Sequence, residues 1–97
     1  MTAAAASALR LAVLISGRGS NMLSIARACA RDPAAMQVAT VISDQPEAAG
    51  IPAAREMGLD ARVVAARDWR RTAGFDRAGF EGELQRHIDA SGPHLVV

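Results

Sequence analysis

Leu9-Arg10-Leu11-Ala12-Val13-Leu14-Ile15-Ser16-Gly17-Arg18-Gly19-Ser20-Asn21-Met22 passes from an apolar run, through a glycine-rich turn, into helical periodicity. The run Leu9 to Ile15, with Arg10 at its mouth, is nearly continuous rather than alternating. Continuity means that both faces of the strand are covered, as in a parallel sheet sandwiched by helices. After the turn Ser16 to Asn21, Met22, Ile25, Ala26 and Cys29 recur at i, i+3, i+4 and i+7, the spacing of one helix face. Asp32-Pro33 ends that helix, because the residue before proline is pushed out of the α region.

Downstream, the unit repeats in kind without repeating in sequence. Val38 to Ser43 reads as a second strand, Asp44-Gln45-Pro46 as a turn, and Ile51 to Met57 as a short helix. Pro52 falls in the first turn, where its missing N–H has no helical partner to lose, and Gly58 stands where a left-handed residue closes the helix. Ala61 to Ala65 is a third, weaker strand, and Arg67 to Gly74 reads as polar and irregular. A third helix is expected from Asp76 to Ala90, with Phe80, Leu84, His87 and Ile88 on one face. Gly92-Pro93 closes it, and His94 to Val97 begins a fourth strand. The β-α-β-α-β-α-β order predicts a Rossmann-like α/β fold: an open parallel sheet with right-handed crossovers and helices on both faces, ending after four strands.

Composition agrees and removes several chemistries. The 97-residue chain has room for one small domain and excludes two. Of its apolar residues 22 are Ala and only three are aromatic, which suits thin helices on a Val, Ile and Leu sheet better than a thick-cored bundle. All 11 basic residues are Arg, so Schiff-base chemistry and the lysine-bearing P-loop are absent. A net charge of +1 lacks the footprint of a nucleic-acid binder. The single Cys29 forms no internal disulfide, and with only His87 and His94 it builds no plausible zinc site, so a reducing, cytoplasmic setting is expected. Residues 1–8, rich in Ala, read as an untethered tail rather than a signal, and no apolar stretch is long enough to span a membrane. The domain is therefore placed at residues 9–97.

Chemistry concentrates in the turn after the first strand. In open parallel sheets ligands bind at the carboxyl ends of the strands, and the turn into the first helix offers free N–H groups at the positive end of the helix dipole. Gly17 and Gly19 let backbone approach a phosphate, while Ser20 and Asn21 read as N-cap residues whose side chains add donors. From the residues alone two readings stay open: an anion cradle, or a turn that simply caps a helix. The dinucleotide fingerprint would align on Gly17 and Gly19, and Asp44 lies near the place of its ribose-binding acid. Its third glycine, however, is Met22, whose side chain would obstruct close helix-to-strand packing, so a monophosphate fits better than a pyrophosphate.

Leu14 to Leu23, with S-G-x-G-S-N directly after a strand, followed by Val41-Ile42-Ser43-Asp44 and by Gly50 to Gly58, resembles the amino-terminal half of the phosphoribosylglycinamide formyltransferases. The resemblance runs in order from Leu9 to Val97. It implies formyl transfer from 10-formyltetrahydrofolate to the amine of N1-(5-phospho-D-ribosyl)glycinamide, a step of de novo purine (IMP) biosynthesis. Formyltransferases acting on methionyl-tRNA and formyltetrahydrofolate deformylases share that fold. The resemblance also implies that Gly19, Ser20 and Asn21 hold the substrate phosphate. An Arg near the start of the third helix would meet the folate; Arg77 is the match, with Arg70 and Arg71 as the other candidates, and Arg18 receives no role. The family's catalytic Asn, His and Asp fall in segments beyond the fourth strand, so no catalytic residue is expected in this chain, which should bind without turning over. His87, His94 and Cys29 are expected to be structural. No metal, nucleic acid or membrane partner is implied, whereas the uncovered sheet edge at Leu95 to Val97 suits self-association or swapping. The alternatives are a stand-alone phosphate- or nucleotide-binding module and part of an NAD-dependent oxidoreductase.

Overall fold

The computed structural model describes residues 8–97, so all but the last residue of the expected Ala-rich tail, residues 1–8, lies outside the described residues. Strand β1 spans Leu9–Ile15, helix α1 Ser20–Arg31, β2 Met36–Ser43, α2 Gly50–Glu56 and β3 Ala61–Val63. A 3-10 turn at Ala66–Trp69 precedes the short strands β4, Arg70–Arg71, and β5, Gly74–Phe75; helix α3 covers Arg77–Ser91 and β6 covers Leu95–Val96. The expected alternation of strand and helix is present, with β2 starting two residues early and β3 ending two residues short of the expected bounds.

Local chemistry sets the helix ends. Helix α1 stops at Asp32, the residue before Pro33, after burying Met22, Ala26 and Cys29 along one stripe. Helix α2 accommodates Pro52 in its first turn, and Gly58 follows it in the left-handed conformation with φ 80°. Asp76 caps α3 by accepting a 3.0 Å hydrogen bond from Gly79 N–H, and Gly92 closes the helix at φ 61°.

Strands β3, β2, β1 and β6 lie side by side in that order, all parallel. The chain therefore moves outward from β1 to β3 and then returns to the other side of β1. Helices α1 and α2 cover one face, where Met22, Ala26, Cys29, Ile51 and Ala54 pack on Leu11, Val13, Val41 and Ala61. Helix α3 covers the other, where Ile88 joins Ala12, Ile42 and Val64, with Phe80 and Leu84 partly buried against them. The open doubly wound α/β architecture expected from the sequence is thus the one observed.

The segment from Arg67 to Gly74 corrects the expectation of an irregular loop. It forms the 3-10 turn and a two-residue antiparallel hairpin, in which Arg70 pairs with Phe75 and Arg71 with Gly74. Two-residue strands are too short to carry a period of two, so tertiary contacts hold them instead. Asp76 N–H donates to the Trp69 carbonyl at 2.7 Å, and the Trp69 ring lies so close to Gly79 that a Cβ there would come within 2.7 Å of it. The Arg71 guanidinium sits 5.3 Å from the centre of the Trp69 ring.

At the other edge, β6 pairs with β1 alone among the described residues, and Leu95, Val96 and Val97 are each about half exposed. His94 secures the approach to this strand: its Nδ1 accepts from Arg10 N–H at 2.9 Å, and its own N–H donates to the Arg10 carbonyl at 2.8 Å. Both contacts give His94 a structural task. His87 lies on α3 with Nε2 3.2 Å from Glu83 and Nδ1 3.4 Å from Arg62. Cys29 is buried in the α1 core. Among the described residues no helix is long and apolar enough to cross a membrane.

Candidate functional site

Strand β1 delivers its last residues to the carboxyl edge of the sheet, and the chain turns there through Ser16, Gly17 and Arg18, all exposed. Gly19 makes the turn into α1 with φ 74° and ψ 33°, a left-handed conformation that a residue with a Cβ resists. The first intrahelical bond runs from Leu23 N–H to the Gly19 carbonyl at 2.9 Å. The amides of Gly19, Ser20, Asn21 and Met22 precede that bond, and the start of a helix leaves such donors without intrahelical partners. Together with the dipole of the 12-residue helix behind them, they favour an anion.

The cap itself differs from expectation in an informative way. Ser20 and Asn21, read from the sequence as N-cap residues, are the first two helical residues, and the cap position falls on Gly19 with no side-chain capping bond. Glycine occupies the cap because the chain must enter the helix through positive φ, which Ser and Asn adopt less readily. The consequence is that the Ser20 hydroxyl and Asn21 carboxamide are exposed and uncommitted to capping. Both point of entry and donor chemistry suit one phosphate group.

Met22 occupies the place where a dinucleotide fingerprint carries its third glycine, and its side chain is fully buried in the core beneath the turn. Its Cε lies 3.4 Å from where a Cβ on Gly19 would stand. The space into which helix and strand would close around a pyrophosphate is therefore filled. Asp44, just after β2, lines a cavity of about 290 Å³ with Leu14, Ile42, Val64, Phe80 and Leu84, on the α3 face. Its Oδ1 is buried and makes no hydrogen bond among the described residues.

A residue that sequence reading missed is Gly50, the first residue of α2, where the apolar pattern placed the helix start at Ile51. Gly50 is buried against the turn: its N–H donates to the Gly17 carbonyl at 3.2 Å, and a Cβ on it would stand 2.6 Å from Ile15 Cδ1. A glycine just before an expected helix start is ordinary at a cap, so no local signal set Gly50 apart.

Arg77 opens α3. Because α3 runs back against the strands, it starts at the same carboxyl edge as the turn, but on the opposite face from α1. Arg77 is three-quarters exposed, lies 3.7 Å from Glu81 and stacks 5.7 Å over the centre of the Phe75 ring. Arg71 is engaged by the Asp68 carbonyl at 3.0 Å and by Asp76 at 3.8 Å, and Arg70 is exposed on β4. Among the described residues, no hydrogen bond or ion pair joins any of the three to Gly19, Ser20 or Asn21. No group of three or more His, Cys, Asp or Glu side chains that would hold a metal ion occurs among the described residues.

Three comparisons bear on this site. The formyl transferase family profile matches residues 9–97. Phosphoribosylglycinamide formyltransferase of Escherichia coli K12 is 33% identical over 90 residues, which are 92% of this chain and 40% of that protein. The solved phosphoribosylglycinamide formyltransferase of Coxiella burnetii superposes with a TM-score of 0.80 at 29% identity, over 93% of this chain and 40% of its own. That of Brucella melitensis gives 0.82 at 26%, over 93% and 44% respectively. The chain thus spans less than half the length of each of these proteins.

Proposed function

The chain belongs to the formyl transferase family, and on that premise we propose that it forms the substrate-phosphate half of a phosphoribosylglycinamide formyltransferase working in the cytoplasm. Such an enzyme moves a formyl group from 10-formyltetrahydrofolate to the amine of N1-(5-phospho-D-ribosyl)glycinamide on the route to IMP. The name borne by the Escherichia coli, Coxiella and Brucella proteins supports the substrate assignment. The observation that carries it here is the left-handed Gly19 cap, which leaves exposed Ser20 and Asn21 and their amides at the start of α1.

In this reading the phosphate dianion accepts hydrogen bonds from the Ser20 and Asn21 amides, from the Ser20 hydroxyl and from the Asn21 carboxamide. Charge-assisted bonds of this kind are about twice as strong as neutral ones, and the helix dipole adds to them. The folate co-substrate supplies the formyl group. Arg77, exposed and steadied by Phe75, fits a carboxylate of its glutamate tail, and Arg70 and Arg71 flank it on the hairpin. His87 is held between Glu83 and Arg62, and His94 accepts from the Arg10 backbone through Nδ1, which fits structural roles for both. The 97-residue chain is accordingly expected to bind the ribonucleotide but not to turn it over.

Titration calorimetry with glycinamide ribonucleotide tests the assignment. Gly19→Val, which forces a β-branched residue to φ 74° and sets its Cβ 3.2 Å from Gly50 Cα, is expected to weaken binding at least about tenfold. Unchanged affinity would refute the loop as the phosphate site. In a companion assay both substrates are mixed with the chain and folate absorbance is followed; turnover well above buffer would refute the expected inactivity.

A further inference from the structure

Parallel pairing of β1 with β2 brings the segments that leave their carboxyl ends side by side, so the turn after β1 rests on the segment that leads into α2. At the point of contact both chains are glycine. A Cβ on Gly19 would stand 3.2 Å from Gly50 Cα, and a Cβ on Gly50 would stand 3.2 Å from Gly19 Cα and 3.2 Å from the Arg18 carbonyl oxygen. Two backbones in such contact leave neither room to shift independently.

One hydrogen bond gives the contact a direction. Gly50 N–H donates to the Gly17 carbonyl, which therefore points toward α2. The peptide bonds of the described residues are all trans, and across a trans peptide the following N–H points opposite to the carbonyl. The N–H of Arg18 is thereby turned away from α2, and Arg18, Ser20 and Asn21 are all exposed.

We propose that Gly50 is a positioning residue for the phosphate loop: it sets the depth of Gly19 and turns the Arg18 amide outward as an additional donor to the anion. The inference rests on the reading of this loop as the phosphate site. Gly50 touches no substrate in it; it acts through the backbone of Gly17 to Gly19. Gly50 is the first residue of α2, and what a Cβ there would disturb is the contact with Arg18 and Gly19.

The test uses the 97-residue chain, with glycinamide ribonucleotide as the probe in calorimetry and the backbone amides of Gly17 to Asn21 followed by nitrogen-15 NMR without ligand. Gly50→Ala is expected to shift the Arg18, Gly19 and Ser20 resonances. It is expected to weaken binding by about tenfold, short of the hundredfold or so that a full ångström of misplacement costs a reacting geometry. The methyl group also meets Ile15 Cδ1 at 2.6 Å, so the end of that side chain must turn aside. The pair Ile15→Val with Gly50→Ala removes that clash while keeping the backbone contacts. It is expected to retain native circular dichroism together with the loop shifts and the weakened binding.

Recovery of wild-type affinity in the pair overturns the proposal, because the effect would then have come from crowding at Ile15. Loop resonances that stay in place in both variants overturn it as well, whatever the ligand does. A wild-type chain that does not bind the ribonucleotide, while the loop resonances still move in the variants, overturns the phosphate reading and the donor role of Arg18. It leaves the control of the loop by Gly50 supported.

Discussion

On the α1–α2 face, Leu11, Val13 and Val41 meet Met22, Ala26, Cys29, Ile51 and Ala54 in a core where every one of them is buried. On the α3 face only Ala12, Ile42, Val64 and Ile88 reach that state; Phe80 and Leu84 remain partly exposed beside the cavity of about 290 Å³. Helix α3 is the longest helix described, at 15 residues, yet Ile88 is its one buried residue. Length and packing are therefore uncoupled here. The face with the larger buried core is the one that carries the glycine turn; its own cavity, of about 300 Å³ among Cys29, Pro33, Met36, Val38 and Met57, lies at the far end of α1 from that turn.

Mutations on the two faces sharpen that contrast. Met22→Ala removes a fully buried side chain beneath Gly19 and is expected to cost about 3 kcal/mol in urea unfolding, within the range for large-to-small core changes. Phe80→Ala removes a bulkier side chain on the α3 face. It is expected to cost only about 1.5 kcal/mol, since its ring is partly exposed and borders a cavity already present. Equal losses at the two positions would break the contrast between the faces.

Smaller effects follow at the ends of elements. Asp76→Ala removes the cap of α3 and is expected to cost about 1 kcal/mol, read as a lower melting temperature with the α1–α2 core intact. Asp60 bridges β2 and β3 at the opposite edge of the sheet from the site. The hydrogen bond from the buried Thr40 hydroxyl, at 2.7 Å, holds its carboxyl below the usual range, followed by the Arg62 contacts, while burial acts in the other direction. A depressed folded-state pKa means that the contribution is present above the unfolded value and is lost as pH falls through the folded one. Asp60→Ala is therefore expected to cost about 1 kcal/mol or less at neutral pH, given the exposure of the carboxylate. The deficit should shrink in acid as the wild-type carboxyl is itself protonated, which urea titrations at several pH values would reveal.

Much of this was legible in the residues. The continuous apolar run Leu9 to Ile15 predicted a buried strand; it forms β1 with those bounds, but only Leu11, Ala12 and Val13 are buried. Leu9 and Leu14 stay exposed, Leu14 because α3 leaves part of its face uncovered. The Met22, Ala26, Cys29 stripe predicted the buried face of α1, and Asp32-Pro33 its end. The hairpin around Thr72 was not legible, because its strands are two residues long and are held by Trp69 on Gly79 rather than by any pattern of their own. The cap was misplaced by one residue, since preference tables favour Ser and Asn at a cap whose backbone here requires positive φ.

The sequence by itself determined the alternation of strand and helix, the glycine turn at the end of the first strand, and the presence of Met22 where a dinucleotide fingerprint carries its third glycine. These are properties of short segments, and periodicity and glycine content report them directly. Only the tertiary structure decided that β1 lies inside the sheet between β2 and β6, that one helical face buries more residues than the other, and that Gly50 stands behind Gly19. Each of these depends on residues far apart in the chain. They meet because parallel strand pairing aligns the carboxyl ends of β1 and β2, and no local pattern encodes which pair of turns that alignment will press together.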